Sequence, residues 1–436
     1  MTAPLHLAVA LDGTGWHPAA WRDAEARPDA IFGLPYWTGL VRRAEEAGID
    51  LVTFEDAVGL QTGGYGPVEN RTDEVRGRLD ALLLASAVAP RTSRIGLVPT
   101  VTTTHTEPFH VSTGLATLDH ASRGRAGWRV QVSGRAHEAA HFGRRTIPAL
   151  DPLAAATGDP AHRALLEQLF GEARDSVEVV RRLWDSWQDD AVIRDTRTGR
   201  FIDRDRLHHI DFEGESFSVK GPSITPRPPQ GQPPVYVLAH QEVPYRLAAT
   251  SADIVGITPH DDEQLASVIA EVRAAEAQEG REANPEFAGP LRIWAELVIL
   301  IEHSEPAARD ALEHLDELHG SPYASDALVV AGTAAAIVER LERWQALGIE
   351  GVRLRPARLP RDLDAIADEV VPLLGRAGLL ERPADATTLR ARLGLPEARN
   401  RYERRGGAAS AETDAVSDDA TAETDTDLET AGSIRA

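Results

Sequence analysis

Short apolar runs alternate with longer amphipathic ones along most of the chain, and this restricts the fold more than any other feature. The runs 5–11 (LHLAVAL), 50–56 (DLVTFED), 94–102 (RIGLVPTVT), 126–133 (AGWRVQVS), 234–240 (PVYVLAH), 253–258 (DIVGIT), 291–301 (LRIWAELVILI) and 351–356 (GVRLRP) read as strands. Between them, 36–48, 78–92, 108–122, 163–187, 245–252, 263–277, 305–318, 334–348 and 363–378 carry helical spacing, several with Gly just past the end. Eight strands alternating with helices is the number that closes a parallel barrel. The competitor is an open doubly wound sheet, which usually has fewer strands and a Gly-rich first turn. "LDGTGW" (11–16) lacks the G-x-G-x-x-G spacing of that turn. The expected fold is therefore α/β, a (β/α)8 TIM barrel. Segments 59–77 and 189–233 are too long for plain connections, and long insertions at the C-terminal face of a barrel build its site.

Residues 1–400 are expected to form the barrel domain and 401–436 an acidic tail. From Gly407 onward the tail holds eight acidic residues and one Arg, with no aromatic, so it cannot bury enough surface to order itself. The formal net charge of −22 argues against a nucleic-acid backbone as partner. There is no cysteine, which excludes disulfides and thiolate metal sites. The start of the chain reads as a first strand rather than a leader, and no apolar run reaches the roughly 18 residues of a membrane span. A cytoplasmic location without membrane contact is expected, and assembly into a homo-oligomer is left open.

"RAHEAAHFG" (135–143) contains H-E-x-x-H, with His137, Glu138 and His141 at zinc-hydrolase spacing. The pattern follows the fourth strand directly and runs into Gly143 and Pro148, so any helix there is short. A third ligand would have to come from Glu167 or Glu178. With 15 histidines in the chain, a pentapeptide with two free positions arises easily by accident. The reading adopted is a polar loop above the barrel, with no metal.

In a barrel, chemistry sits at the C-terminal strand ends. Strand one ends at Asp12 and Gly13, strand two at Glu55 and Asp56. Strand three ends in TVTTTH, with Thr100 and Thr102 on one face. Strand four ends near Gln131 and Ser133, and strand five at His240, Gln241 and Glu242. No Ser–His–Asp order and no carboxylate cluster at metal spacing appear. Hydroxyls, amides and a carboxylate near Trp16, Trp21 and Trp128 suit a flat polar heterocycle better than acyl or phosphoryl transfer. The competing view of each Thr is β-branched strand filling.

Several long stretches resemble one family. "SRIGLVPTVTTTHTEPFHVSTGLATLDHASRGRAGW" (93–128), "LWDSWQDDAV" (183–192), "HHIDFEGESFSVKGPSITPRPPQGQPPVYV" (208–237) and "TSADIVG" (250–256) are similar, in order, to the bacterial-luciferase-like flavin-dependent monooxygenases. The branch is that of the nitrilotriacetate and dibenzothiophene-sulfone monooxygenases, and the resemblance runs from about residue 5 to about residue 378. It implies a (β/α)8 barrel that takes reduced FMN from a separate flavin reductase and oxygenates a small-molecule substrate with O2. A deazaflavin-dependent oxidoreductase on the same barrel is the enzymatic alternative. A non-catalytic barrel that has lost flavin binding is the other.

Carried over residue by residue, the resemblance makes Asp56 the strand-two acid near the flavin ring, and Thr100 and Thr102 the strand-three hydroxyls. The family's W-N after strand four reads Trp128-Arg129, a cation in place of an amide. Its H-x-x-x-Y pair falls on Leu166 and Phe170. Its A-G-x-S phosphate turn falls on Ala239, His240, Gln241 and Glu242, where His240 or Arg129 would have to serve as donor. The expected cofactor-binding set is Asp56, Thr100, Thr102, Arg129, His240 and Gln241. Catalytic residues and the substrate are not legible.

Overall fold

In this computed structural model the described residues are 4–61, 70–148, 159–284, 287, 289–380 and 386–403. The expected tail after Glu403 lies outside them.

Eight parallel strands close into a barrel. They are β1 (His6–Leu11), β2 (Leu51–Phe54), β3 (Gly96–Thr102), β4 (Trp128–Gln131), β5 (Val235–Leu238), β6 (Ile254–Ile257), β7 (Arg292–Ile301) and β8 (Gly351–Pro356). Each pairs with its sequence neighbour, and β1 pairs with β8, so no barrel edge is left open. These are the eight runs the sequence pattern marks, shortened by one or two residues at some ends. Around them lie α1 (Leu34–Ala47), α2 (Ala81–Val88), α3 (Pro108–Ser122), α4 (Ala136–Phe142), α5 (Pro160–Asp185), α6 (Glu242–Ser251), α7 (Asp262–Gln278), α8 (Glu305–His319), α9 (Ala334–Leu347) and a helical stretch over 361–376.

Alternation along each strand sorts the side chains. Outward residues such as Val9, Val52, Phe54, Leu97, Trp128, Val237, Val255, Leu297 and Leu354 join the large core under the helices. The inward set is layered. At the bottom, Ala8, Leu51, Val98, Tyr236, Ile254 and Trp294 pack together, and Leu389 and Leu393 of a C-terminal segment close the floor beneath them. Gly96 makes room for that floor, because a Cβ there would lie 2.6 Å from Leu389 Cδ1. Above this layer the interior turns ionic, which sets up the site.

Three features went unread in the sequence. A ninth strand, Leu328–Gly332, pairs with the upper half of β7 outside the closed barrel. The segment 386–403 docks under the floor, its Arg390 donating to the Gln232 carbonyl and to Asp253. Segment 189–233 forms two small hairpins, and it leads from the end of α5 into β5. A helix-to-strand connection belongs to the N-terminal face, so this insertion packs Ile210 and Phe212 on α5 rather than shaping the mouth. The loops after β2 and β4 are the ones at the C-terminal face. Among the described residues, no helix is long and apolar enough to cross a membrane.

Candidate active site

A string of alternating charges crosses the upper interior of the barrel. Arg129, inward on β4, donates from Nη1 to Glu55 Oε2 at 3.2 Å and to Thr100 Oγ1 at 3.1 Å. Glu55, just past β2, also pairs with Arg353 of β8. Arg353 donates to Glu296 Oε2 of β7 and, through Nε, to Thr53 Oγ1 at 2.8 Å. Glu296 Oε2 accepts again from Arg355 Nε at 2.7 Å, and its Oε1 accepts from Tyr236 Oη at 2.7 Å. Arg355 ends the string on Asp326, with Nη1 to Oδ1 at 2.6 Å. The side chains of Arg353 and Glu296 are fully buried. Gly256 on β6 leaves the space they use, since a Cβ there would meet Tyr236 Oη at 2.1 Å.

Burying so many charges carries a large desolvation cost, offset only where each is paired and hydrogen-bonded. The titration shifts reflect that balance. Burial alone would raise Glu55 and Glu296. The guanidiniums beside them outweigh it and hold both carboxyls below the usual range: Arg129 and Arg353 for Glu55, Arg353 and Arg355 for Glu296. Asp12, at the end of β1, goes the other way: burial raises it more than Arg78 lowers it. Arg78 Nη2 reaches Asp12 Oδ2 at 3.3 Å, and Gln61 Nε2 donates to its Oδ1 at 3.2 Å.

Around this layer several buried hydrogen-bonding atoms have no partner among the described residues. Trp16 Nε1, Arg78 Nε and Arg129 Nε can only donate. Both ring nitrogens of His105 and Nε2 of His137 are open as well. The Trp16 ring lies over Arg355, whose Cζ is 4.6 Å from its centroid. His105 sits at φ 72° after β3, stacked on Phe142 at 5.0 Å, and burial lowers its pKa. Buried donors left open are costly and uncommon. Their gathering at one mouth fits a ligand with acceptors along a flat edge, which is what an isoalloxazine ring offers.

The residues expected from the sequence fall into three groups. Arg129, Thr100 and Thr102 are buried on the inner face, Thr102 Oγ1 donating to Gln131 Oε1 at 2.8 Å. Asp56 sits beside them, yet its carboxylate accepts from Ala57 N–H at 2.7 Å and Ala81 N–H at 2.8 Å. It therefore ties the start of α2 to the end of β2. Burial raises its pKa to about 6 against those two hydrogen bonds. His240 and Gln241 stand at the turn that opens α6, where His240 faces Asp326, the last member of the charge string. His240 Nδ1 is 2.9 Å from Thr258 Oγ1 and its Nε2 is 3.6 Å from Asp326. Its pKa is lowered by burial, against the pull of Asp326. Gln241 precedes α6 without capping it through its side chain. Glu242 is exposed and pairs with Arg163 at 3.4 Å.

Trp128 is not at the mouth. Its neighbour Arg129 points inward, so Trp128 points outward into the core and donates to the Val101 carbonyl. Trp21 is bonded to the Asp73 carbonyl in the β2 loop. Of the three tryptophans, Trp16 alone joins the charge layer. The H-E-x-x-H stretch forms the seven-residue α4. Glu138 accepts from the Ser133 hydroxyl, and the rings of His137 and His141 stand 6.5 Å apart, nearly perpendicular. Glu167 and Glu178 pair with Arg163 and Arg182, and among the described residues no three potential metal ligands gather. Glu296, Arg353 and Arg355 were missed. Their signal was present: charges at alternate positions of "GVRLRP" and one Glu inside "IWAELVILI", strands otherwise apolar.

Comparison with known proteins bears on the same barrel. The family described as luciferase-like monooxygenase matches residues 14–355. The chain is 28% identical to N-acetyl-S-(2-succino)cysteine monooxygenase of Bacillus subtilis (strain 168), over 91% of this chain and 98% of that one. It is 26% identical to nitrilotriacetate monooxygenase component A of Aminobacter aminovorans, over 89% and 95%. Among solved structures, EDTA monooxygenase from Chelativorans sp. BNC1 superposes with a TM-score of 0.74 at 22% identity, covering 90% of this chain and 99% of that one, a likeness of fold.

Proposed function

We infer the function from a premise these matches establish: the chain belongs to the luciferase-like monooxygenase family. It is an enzyme, a flavin-dependent monooxygenase. We further propose that the flavin is reduced FMN delivered by a separate reductase, and that the substrate is a small organic molecule. The observation that carries this is a set of enclosed donors without partners among the described residues, beside the ionic layer at the strand ends where a (β/α)8 barrel builds its site.

Bound there, the flavin supplies the activation of O2. The chain's own residues do the rest. Arg129, with Trp16 and Arg78, would hold the acceptor edge of the ring. Thr100 and Thr102 stand beside Arg129 on the inner face, and Thr100 fixes the guanidinium by accepting from it. Asp56 acts one step back, holding the α2 start that frames the ring. His240 and Gln241 form the turn that opens α6 and would meet the far end of the cofactor.

The reading is tested by adding FMN to purified protein and following flavin fluorescence, oxidised and anaerobically reduced. Quenching with saturable, near one-to-one stoichiometry is expected in at least one redox state. Binding of a deazaflavin together with indifference to FMN would move the assignment to hydride transfer without O2. Indifference to both would end the enzymatic reading of the cofactor.

A further inference from the structure

A strand hairpin stands on the outside of the molecule. Its arms, Val192–Asp195 and Arg200–Ile202, follow α5 and are tied down at the base. There Asp203 N–H donates to the Ala191 carbonyl at 2.8 Å, and Gln188 N–H to the Arg206 carbonyl at 3.0 Å. Val192 pairs with Ile202, which sets Ile193 across from Phe201. Side chains alternate along a strand, so these two share the face turned away from the half-buried Val192 and Ile202. Phe201 is 64% exposed and Ile193 38%. The chain carries a net charge of −22, yet residues 194–206 hold five Arg against three Asp. Arg194 sits at φ 47°, at the irregular step of the ladder. The exposed side chains of Arg194, Arg204 and Asp205 have no partner among the described residues.

Beside the hairpin lies an open groove of about 420 Å³, lined by Asp189, Glu397, Ala398, Arg399, Asn400 and Glu403. It is fastened to the hairpin base. The Asn400 amide donates to the Asp185 and Trp187 carbonyls at 2.9 Å, and Tyr402 stacks on His208 at 4.3 Å. Asp189 is engaged by Arg227. Glu397, Glu403 and Arg399 are exposed and, among the described residues, unpaired. The two surfaces are opposite in charge, group for group. The hairpin offers two guanidiniums and one carboxylate, the groove two carboxylates and one guanidinium.

We propose that the hairpin is the docking element of a two-fold dimer, in which the hairpin of each copy enters the groove of the other. Hairpin and groove are neighbours on one chain, so a two-fold axis makes both contacts at once, as an isologous interface requires. Phe201 and Ile193 leave water there, and an aromatic anchor ringed by polar groups is the usual make-up of an interface centre. The charges select the partner. Two bodies that each carry a large negative charge repel, and a local positive element on each fixes which faces meet.

The experiment is sedimentation velocity of the full-length protein over a wide concentration range, at low and at high salt. A concentration-dependent doubling of mass is expected, weakened by salt. Phe201→Ala should weaken the association at least about tenfold. Arg194→Glu with Arg204→Glu makes the hairpin acidic, and Glu397→Arg with Glu403→Arg makes the groove basic. Each of these chains alone should lose the association. An equal mixture of the two should recover it, because both contacts are then again of opposite charge. All four positions are exposed, and thermal melts confirm that each chain is folded. A chain that does not fold is replaced by Arg194→Gln with Arg204→Gln, or by Glu397→Gln with Glu403→Gln, and its loss of association is read alone. The proposal is overturned if the substituted chains associate as wild type does, or if the mixture stays apart. A wild type that stays single also overturns it, in favour of a different, acidic partner for the hairpin.

Discussion

Replacing Glu296 by Gln is the most direct probe of the ionic layer. Glu296 Oε2 accepts from both Arg353 and Arg355, and Oε1 accepts from Tyr236. The amide has nearly the same volume, so no cavity opens. What changes is charge: two fully buried guanidiniums lose the anion between them and retain only Glu55 and Asp326 at the outer ends. Breaking a buried pair from one side costs about 3–5 kcal/mol, mostly from the uncompensated charge left behind. For a 436-residue chain, unfolding entropy of about 2.1 cal/mol/K per residue gives about 0.9 kcal/mol per degree, so Tm should fall by about 3–6 °C. A pH series adds a second check. The folded carboxyl titrates below its ordinary value of 4.5. Its stabilisation is therefore fully present above that value and is lost as pH falls beneath it. The gap between wild type and Glu296→Gln should stay constant from pH 8 to about 5. Below about 4.5 it should then narrow by about 1.4 kcal/mol per unit. Differential scanning calorimetry at pH 7, 5 and 3.5 reads both effects. A loss under about 1 °C at pH 7, or a gap that does not narrow in acid, would show that the layer is not held together by Glu296.

Leu389→Ala should lower Tm by about 2–6 °C, because the side chain is fully buried in the barrel floor and such truncations cost about 2–5 kcal/mol. Removal of residues 405–436, whose large apolar side chains are only Val416, Leu428 and Ile434, should leave Tm within about 1 °C, and a large drop would mean that the tail docks. Asp56→Asn tests the tie between β2 and α2. The folded pKa of about 6 lies above the ordinary 3.8, so the folded state keeps the proton longer. Wild-type stability should therefore decline as pH climbs from about 4 to about 6, while the amide does not titrate. The Tm of Asp56→Asn minus that of wild type should become more positive across that window and level off above it. A difference independent of pH would mean that the carboxyl is not strained by burial.

The sequence by itself determined the barrel. Apolar runs of strand length, separated by helices with Gly stops, leave few ways to bury their faces, and period-2 alternation fixes which residues face each layer once the sheet closes. It also located the mouth, since strand ends can be read from the same pattern, and Thr100 and Thr102 were read that way, whereas Arg129 entered only through the resemblance. Tertiary structure decided the rest, because pairing across the barrel is non-local. Arg353 meets Glu55 from 298 residues away and Thr53 from 300, and no local spacing predicts either contact. The same holds for Asp56, whose partner Ala81 lies beyond a loop, so that its carboxylate also ties the start of α2 to the end of β2. Trp128 and Arg129 show the limit most plainly. They are adjacent in sequence, and the pleat sends one into the outer core and the other into the charged interior. Leu389, more than thirty residues beyond the last barrel strand, carries no sign that it closes the floor, since its partners Leu51 and Gly96 are brought together above it only when the barrel forms.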